Sequence, residues 1–303
     1  MPLKNSFHPF AIITIIGWSL AFVFTRQALA YFTSETLGML RYITASLALV
    51  AFVLITRMKP PKKRDISWFI LAGAIGFFIY IIAWNKGCAA LPAATSSVVM
   101  ALTPVATALM ARIICGEKLS WLQWAALALG FAGVIVLNTL RGGFKFDAGI
   151  LWLMLAVALL SSYNILQRRL TKTYSALVCS TYGIFFGTLM LLVFLPSSIE
   201  QIKAAPLEAY LYVLLLGVVS GAIAYVAWSA AFARAKNAAS VSNYMFVTPF
   251  LTSLLGFVIA DETPDAATLI GGAIIISSLV LFTIGKRAVF FASEKEAAGK
   301  AQN

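Results

Sequence analysis

Residues 93–117 read AATSSVVMALTPVATALMARIICGE, and residues 238–262 read AASVSNYMFVTPFLTSLLGFVIADE. Aligned at a constant shift of 145 (238 − 93), without gaps, they agree at Ala93, Ala94, Ser97, Met100, Thr103, Pro104, Thr107, Leu109, Ile114 and Glu117. Ten matches in 25 positions compare with roughly two expected by chance for so apolar a composition. The chain repeats itself, and each copy is a largely apolar run with a Thr-Pro pair at its middle.

The shift extends upstream. Gly76 and Tyr80 fall on Gly221 and Tyr225, and Trp18 falls on Tyr163. Two halves follow, residues 1–145 and 146–290, with a polar tail at 291–303 expected to be flexible and cytoplasmic. The whole chain is 61% hydrophobic and 11% charged over 303 residues, with mean hydropathy +0.91. Soluble domains have about 45–50% apolar and 25% charged residues, so water is excluded as the solvent. About 20 helical residues cross a hydrocarbon core of about 30 Å. Runs of that kind are read at Phe10–Leu29, Thr36–Thr56, Ile66–Trp84, Ala93–Ala111, Trp121–Leu140, Gly149–Gln167, Tyr174–Leu195, Ala209–Phe232, Ala238–Ala260 and Ala266–Ile284. Continuous runs, unlike the short alternating strands of a barrel, satisfy their backbone internally only as helices. The expected fold is all-α integral membrane, with the first run retained as a helix because no small-residue cleavage site follows it.

Charge supports the even count. With both termini on one side, that side holds Lys4, Arg57, Lys59, Lys62, Lys63, Arg64, Arg112, Lys118, Arg168, Arg169, Lys172, Arg234, Lys236, Lys286, Arg287, Lys295 and Lys300, which is 17 of the 23 basic residues. The other side holds Arg26, Lys86, Arg141, Lys145 and Lys203, with Arg41 just inside the second span. Basic loops stay in the cytoplasm, so both termini are expected there. The net charge of +12 is thereby explained by topology, without nucleic acid as a partner. The basic run Arg57–Arg64 reads as a loop contacting anionic membrane lipid.

Ten transmembrane helices divide into five plus five, and an odd number per half forces the second half to enter from the opposite side. The repeat is inverted. Two similar packings exchanged between such halves give inward-open and outward-open states of near-equal energy, the requirement of alternating access. Transport of a small solute is the reading this favours. The alternative from another class is a membrane-embedded enzyme or scaffold. The sequence holds no Gly-x-x-x-x-Gly-Lys phosphate loop, no His-Glu-x-x-His and no nucleophile with a His partner in the spans, so neither catalysis nor a cofactor is expected. Cys88, Cys115 and Cys179 stand alone, without metal or redox spacing, and read as packing residues.

The Thr103-Pro104 and Thr248-Pro249 pairs each precede a loop-opening Glu by 13 residues (117 − 104 and 262 − 249). With Gly17-Trp18-Ser19, Arg41 and Cys115-Gly116-Glu117, they resemble the drug/metabolite transporter superfamily with two EamA-type domains. The chain as a whole is most similar to the bacterial aromatic amino-acid exporters. The resemblance implies a ten-helix carrier in the bacterial cytoplasmic (inner) membrane. It also implies a central cavity lined by helices one, three, four, six, eight and nine, and no single substrate. Asp261 stands where Gly116 stands in the first half, so the second loop departs from the pattern. The sequence sets neither direction nor oligomeric state, and a monomer is compatible with it.

No Asp or Glu lies deep in a span, and His8 precedes the first. Proton-coupled carriers need such a group, so facilitated diffusion or exchange is expected. Candidate cavity residues come from helical spacing and from position. Tyr80 and Trp84 share a face with Gly73, Gly76 and Gly87, and Tyr225 and Trp228 share one with Gly217 and Gly221. Interface anchoring is the bland reading of such rings, above all for Trp84 beside Asn85-Lys86. Trp18 and Tyr163 lie mid-span near Ser19 and Asn164. Asn243 and Tyr244 break the repeat, since Val98-Val99 occupy the equivalent positions, and an asymmetric solute would be read where symmetry fails. Pro104 and Pro249 are expected to kink their helices and act as hinges. Arg41 is read as snorkelling to the outer surface, with anion binding as the alternative.

Overall fold

A computed structural model describes residues 6–116, 119–142, 147–234, 241 and 243–300, the side chains of 141–142, 232–233, 243, 246 and 286–300 excepted. Among the described residues all regular structure is helical. Nine helices among the described residues are long and apolar enough to cross a membrane: α1 His8–Ala28, α2 Ser34–Thr56, α3 Lys63–Ala90, α4 Ala93–Cys115, α5 Trp121–Leu140, α6 Ala148–Leu170, α7 Ala176–Ala204, α8 Leu207–Ala231 and α10 Ala266–Gly285. Helix α9, Thr248–Ala260, is apolar but has 13 residues, and a 3-10 turn at Asn243–Val247 leads into it. The backbone of α10 stays helical to Lys300, through most of the segment expected as a flexible tail.

Polar caps start several helices. Thr33, Asp147 and Ser175 accept from the backbone N–H groups of Thr36, Gly149 and Val178, and so satisfy donors that the first turns of α2, α6 and α7 leave open. Gly116 ends α4 at φ 69°, and Asp261 ends α9 at φ 50°, both left-handed. The departure from Gly to Asp thus keeps the same stop, because a short polar side chain tolerates this conformation.

The expected proline kinks take a different form. Helix α4 breaks at Ala101–Leu102, and Pro104 occupies the first turn of the half-helix Thr103–Cys115. Pro249 opens α9 in the same way. In a first turn a missing N–H costs nothing, since no intrahelical acceptor exists there. The Met100 carbonyl, which residue 104 would have served, accepts from the Thr103 hydroxyl instead at 2.6 Å.

The larger packing contacts run between the two groups of five helices. Helix α1 lies against α8 and α9, and α6 lies against α3 and α4. Helix α2 meets α8, α3 meets α7, and α5 pairs with α10. Each contact is carried into another on the same set by exchanging helix n with helix n + 5. Both α3 and α8 contain π-helical segments, Ala74–Phe78 and Leu215–Ile223. Glycines mark the close approaches there: a Cβ on Gly217 would sit 2.5 Å from Thr44 Cβ, and one on Gly76 would enter the ring of Tyr163. Ser220, within the α8 segment, donates to the Gly17 carbonyl of α1 at 2.6 Å. Outward faces carry exposed apolar side chains, Leu54, Ile55, Ile113, Leu189 and Val258 among them. Only an apolar surrounding makes that surface favourable.

Candidate functional site

A cavity of about 790 Å³ lies between the two groups of helices. Seven expected site residues line it: Trp18, Tyr80, Trp84, Tyr163, Asn164, Tyr225 and Trp228. They come from α1, α3, α6 and α8, and the breaks of α4 and α9 add Thr103, Pro104, Thr248 and Pro249. Trp18 packs edge-on against Tyr225 at 5.6 Å and is tilted against Trp228 at 5.2 Å. Phe77 holds Tyr163 at 5.2 Å and Tyr42 at 5.6 Å. Such ring pairs, each worth about 0.5–1.5 kcal/mol beyond area burial, fix an aromatic wall. Amides face it from one end. Asn164 donates to Thr107 Oγ1 at 3.2 Å, and Gln167 donates to Ser180 Oγ at 3.3 Å.

The breaks are held from across the bundle. Ser161 of α6 donates to the Thr103 carbonyl at 3.3 Å, and Ser19 of α1 donates to the Thr248 carbonyl at 3.5 Å. Equivalent carbonyls in the two breaks thus receive hydroxyls from the first helix of the other five.

The cavity is open at one end and stitched at the other. Exposed Arg168, Thr171 and Ser175 line its mouth at the α6–α7 turn. There Tyr174 donates to Asp65 Oδ2 at 2.6 Å and accepts from the Lys62 backbone at 3.1 Å. The bond to the Asp65 carboxylate raises the Tyr174 pKa above the usual tyrosine value. At the far end Arg26 forms an ion pair with Glu262. The Arg26 guanidinium also donates to the Leu91 carbonyl at 2.8 Å, and Glu262 accepts from Ala93 N at 2.9 Å. That carboxylate sits at the N-terminus of α4, where the helix dipole favours it. Lys86 and Glu35 add a second ion pair at 3.0 Å.

Three expectations are corrected. Trp84 is no interface anchor: it is 3% exposed, with Phe22 edge-on at 5.3 Å. Arg41 does not snorkel. It is 7% exposed and faces the cavity, with Trp84 and Tyr42 rings 5.0 and 5.9 Å from its guanidinium carbon. Tyr244 does not line the cavity. Its hydroxyl and His8 Nδ1 are 2.5 Å apart, and its ring meets Phe7 edge-on at 6.3 Å and packs against the cluster of Ala11, Ala231 and Val241. Asn243, named with Tyr244, has its side chain outside the described residues.

A model of the EamA-like transporter family matches the chain twice, over residues 6–139 and 147–284. A probable terminal-alkyne amino-acid exporter of Streptantibioticus cattleyicolor is 30% identical over 280 residues, covering 91% of this chain and 94% of its own. An uncharacterized transporter of Bacillus subtilis is also 30% identical, over 88% and 87% of the two chains. The S-adenosylmethionine uptake transporter of Rickettsia prowazekii is 24% identical over 90% of each. One solved crystal structure shares the fold, with TM-score 0.58 at 21% identity, covering 89% of this chain and 98% of that one.

Proposed function

We infer that this chain, which belongs to the EamA-like transporter family, carries amino acids with aromatic or other apolar side chains out of a bacterial cell by alternating access. The observation that carries the reading is a cavity with aromatic walls that opens at the α6–α7 turn and is closed by Arg26–Glu262 at the other end. The open end is bordered by basic residues, which supports a cytoplasmic mouth by the distribution of positive charge. The exporter among the relatives is named for an amino acid, which supports that substrate class.

The ten helices form an inverted five-plus-five repeat in the inner membrane, with both termini cytoplasmic. Contacts that map onto themselves under exchange of the halves support two alternative packings of similar energy. The breaks ahead of Pro104 and Pro249 serve as hinges. Among the described residues neither Asp nor Glu lines the cavity, which supports transport down the solute gradient or by exchange, without a proton relay.

The test is flux in proteoliposomes. Labelled phenylalanine, tryptophan and leucine should cross without an imposed pH gradient and exchange with unlabelled solute. Trp18→Ala and Tyr80→Ala should raise the apparent KM for the aromatic solutes by about 2- to 10-fold, the loss of one ring contact each. No flux of any solute from a broad metabolite panel would end the carrier reading. Full rates in both Pro104→Ala and Pro249→Ala would end the hinge assignment.

A further inference from the structure

Arg41 is the unsolved charge of the molecule. It is buried, and neither Nε nor Nη1 has a hydrogen-bond partner among the described residues. Arg26 and Lys86 each have a carboxylate, but Arg41 is absent from the ion pairs. Two rings, those of Trp84 and Tyr42, lie 5.0 and 5.9 Å from its guanidinium carbon and supply no carboxylate. The indole N–H of Trp84 is likewise buried and unpartnered. Two donors of this kind, both lining the cavity, face the same unmet need for an acceptor.

A buried cation without a partner is strongly unfavourable, whereas one paired bidentately with a planar anion is among the stronger polar contacts in proteins. Guanidinium geometry matches a carboxylate through two parallel N–H bonds, which a lysine could not reproduce. Position supports the match. Arg41 lines the cavity beside Trp84, which Phe22 meets edge-on, and the rings of Trp18, Tyr163, Tyr225 and Trp228 line the same cavity. We propose that Arg41, assisted by the Trp84 indole N–H, is the subsite for the solute's carboxylate, and that the cavity takes carboxylates bearing an apolar body and rejects the corresponding amides and amines. The carboxylate enters first and the apolar body trails among the rings. With no Asp or Glu among the lining residues, a solute carrying only a positive charge would meet Arg41 and Arg168 with no counter-charge.

The proposal rests on the carrier reading only for what happens after binding, so its test is an equilibrium one. Thermal unfolding of the purified protein is followed with 3-phenylpropionate, 3-phenylpropanamide and 2-phenylethylamine. The acid should raise the midpoint and the other two should leave it nearly unchanged. Arg41→Gln should weaken the acid by about 10-fold or more, as expected for losing a charge-assisted bidentate contact, and should leave the amide response as it was. Arg41→Lys should restore part of the affinity. An amide that stabilises the wild-type chain as well as the acid does, an acid without effect, or an acid response retained in Arg41→Gln would each overturn the subsite. The wild-type comparison decides the matter even if a variant does not fold. Flux that ignores Arg41 removes the subsite and leaves the carrier, while binding through Arg41 without flux does the reverse.

Discussion

The two ends of the cavity are built from different chemistry. The stitched end joins α1, the α3–α4 corner and the start of the α9–α10 loop through one ion pair reinforced by backbone groups: Arg26 to Glu262, Arg26 to the Leu91 carbonyl, and Glu262 to the Ala93 N–H. The mouth has a phenol–carboxylate bond between Tyr174 and Asp65, joined by one from the Lys62 backbone, which ties the α6–α7 turn to α3 and the residue just before it. A charge-assisted network that joins three segments resists opening more than the two bonds of one tyrosine hydroxyl do. On the carrier reading proposed above, the direction this conformation faces is set by side-chain pairing at the ends.

The comparison breaks most visibly at Glu262. Glu262→Gln, or Arg26→Ala, removes a bond to a charged group worth about 1.5–3 kcal/mol, which amounts to about 10- to 100-fold in the closed-to-open ratio of that end. Cys88, buried directly behind Arg26, reports it. In a Cys115→Ser, Cys179→Ser background, labelling of Cys88 by an impermeant thiol reagent should rise from near background. Unchanged labelling would show that helix packing alone closes the end.

A smaller effect is expected from the outlying pair. Lys86→Ala breaks a half-exposed ion pair with Glu35, of about 0.2–1 kcal/mol, and should raise the same labelling by less than about 5-fold. High salt should mimic it, since exposed pairs are screened. The mouth should respond least. Tyr174→Phe removes two bonds at the rim, to Asp65 and from the Lys62 backbone, and transport should change by no more than about 2-fold. The sign for pH follows from the raised Tyr174 pKa: the protonated phenol, and with it the donated bond, is complete below the ordinary value near 10 and is lost only as pH rises through the raised one. Between about pH 5 and 9, wild type and Tyr174→Phe should therefore keep parallel flux profiles.

Much of the frame was legible in the sequence because hydropathy and helical spacing are local. The runs located most helices to within a few residues, though α3 and α7 end six (90 − 84) and nine (204 − 195) residues beyond the expected bounds, and Tyr80 and Trp84, with Tyr225 and Trp228, are among the lining residues. What the sequence hides is decided by distant partners. Arg26 and Glu262 meet across 236 positions, and nothing local marks them as a pair. Arg41 sits close enough to a helix end to reach the surface, and only the placement of Trp84 and Tyr42 around it shows that it turns inward. The symmetry argument picked out Tyr244, yet lost symmetry marks a difference without saying what fills it; here it is a bond to His8. The prolines were located, but their effect was misjudged, because a Thr-Pro pair can open a new half-helix as readily as bend an old one.

The serine bonds across the breaks bear on how the protein is made. During synthesis the first five helices emerge with the Thr103 carbonyl at the break of α4 lacking its donor, because Ser161 belongs to a helix not yet inserted. Ser19, already in place, has no Thr248 to serve. Each of these two bonds therefore forms only after both of its helices have been made.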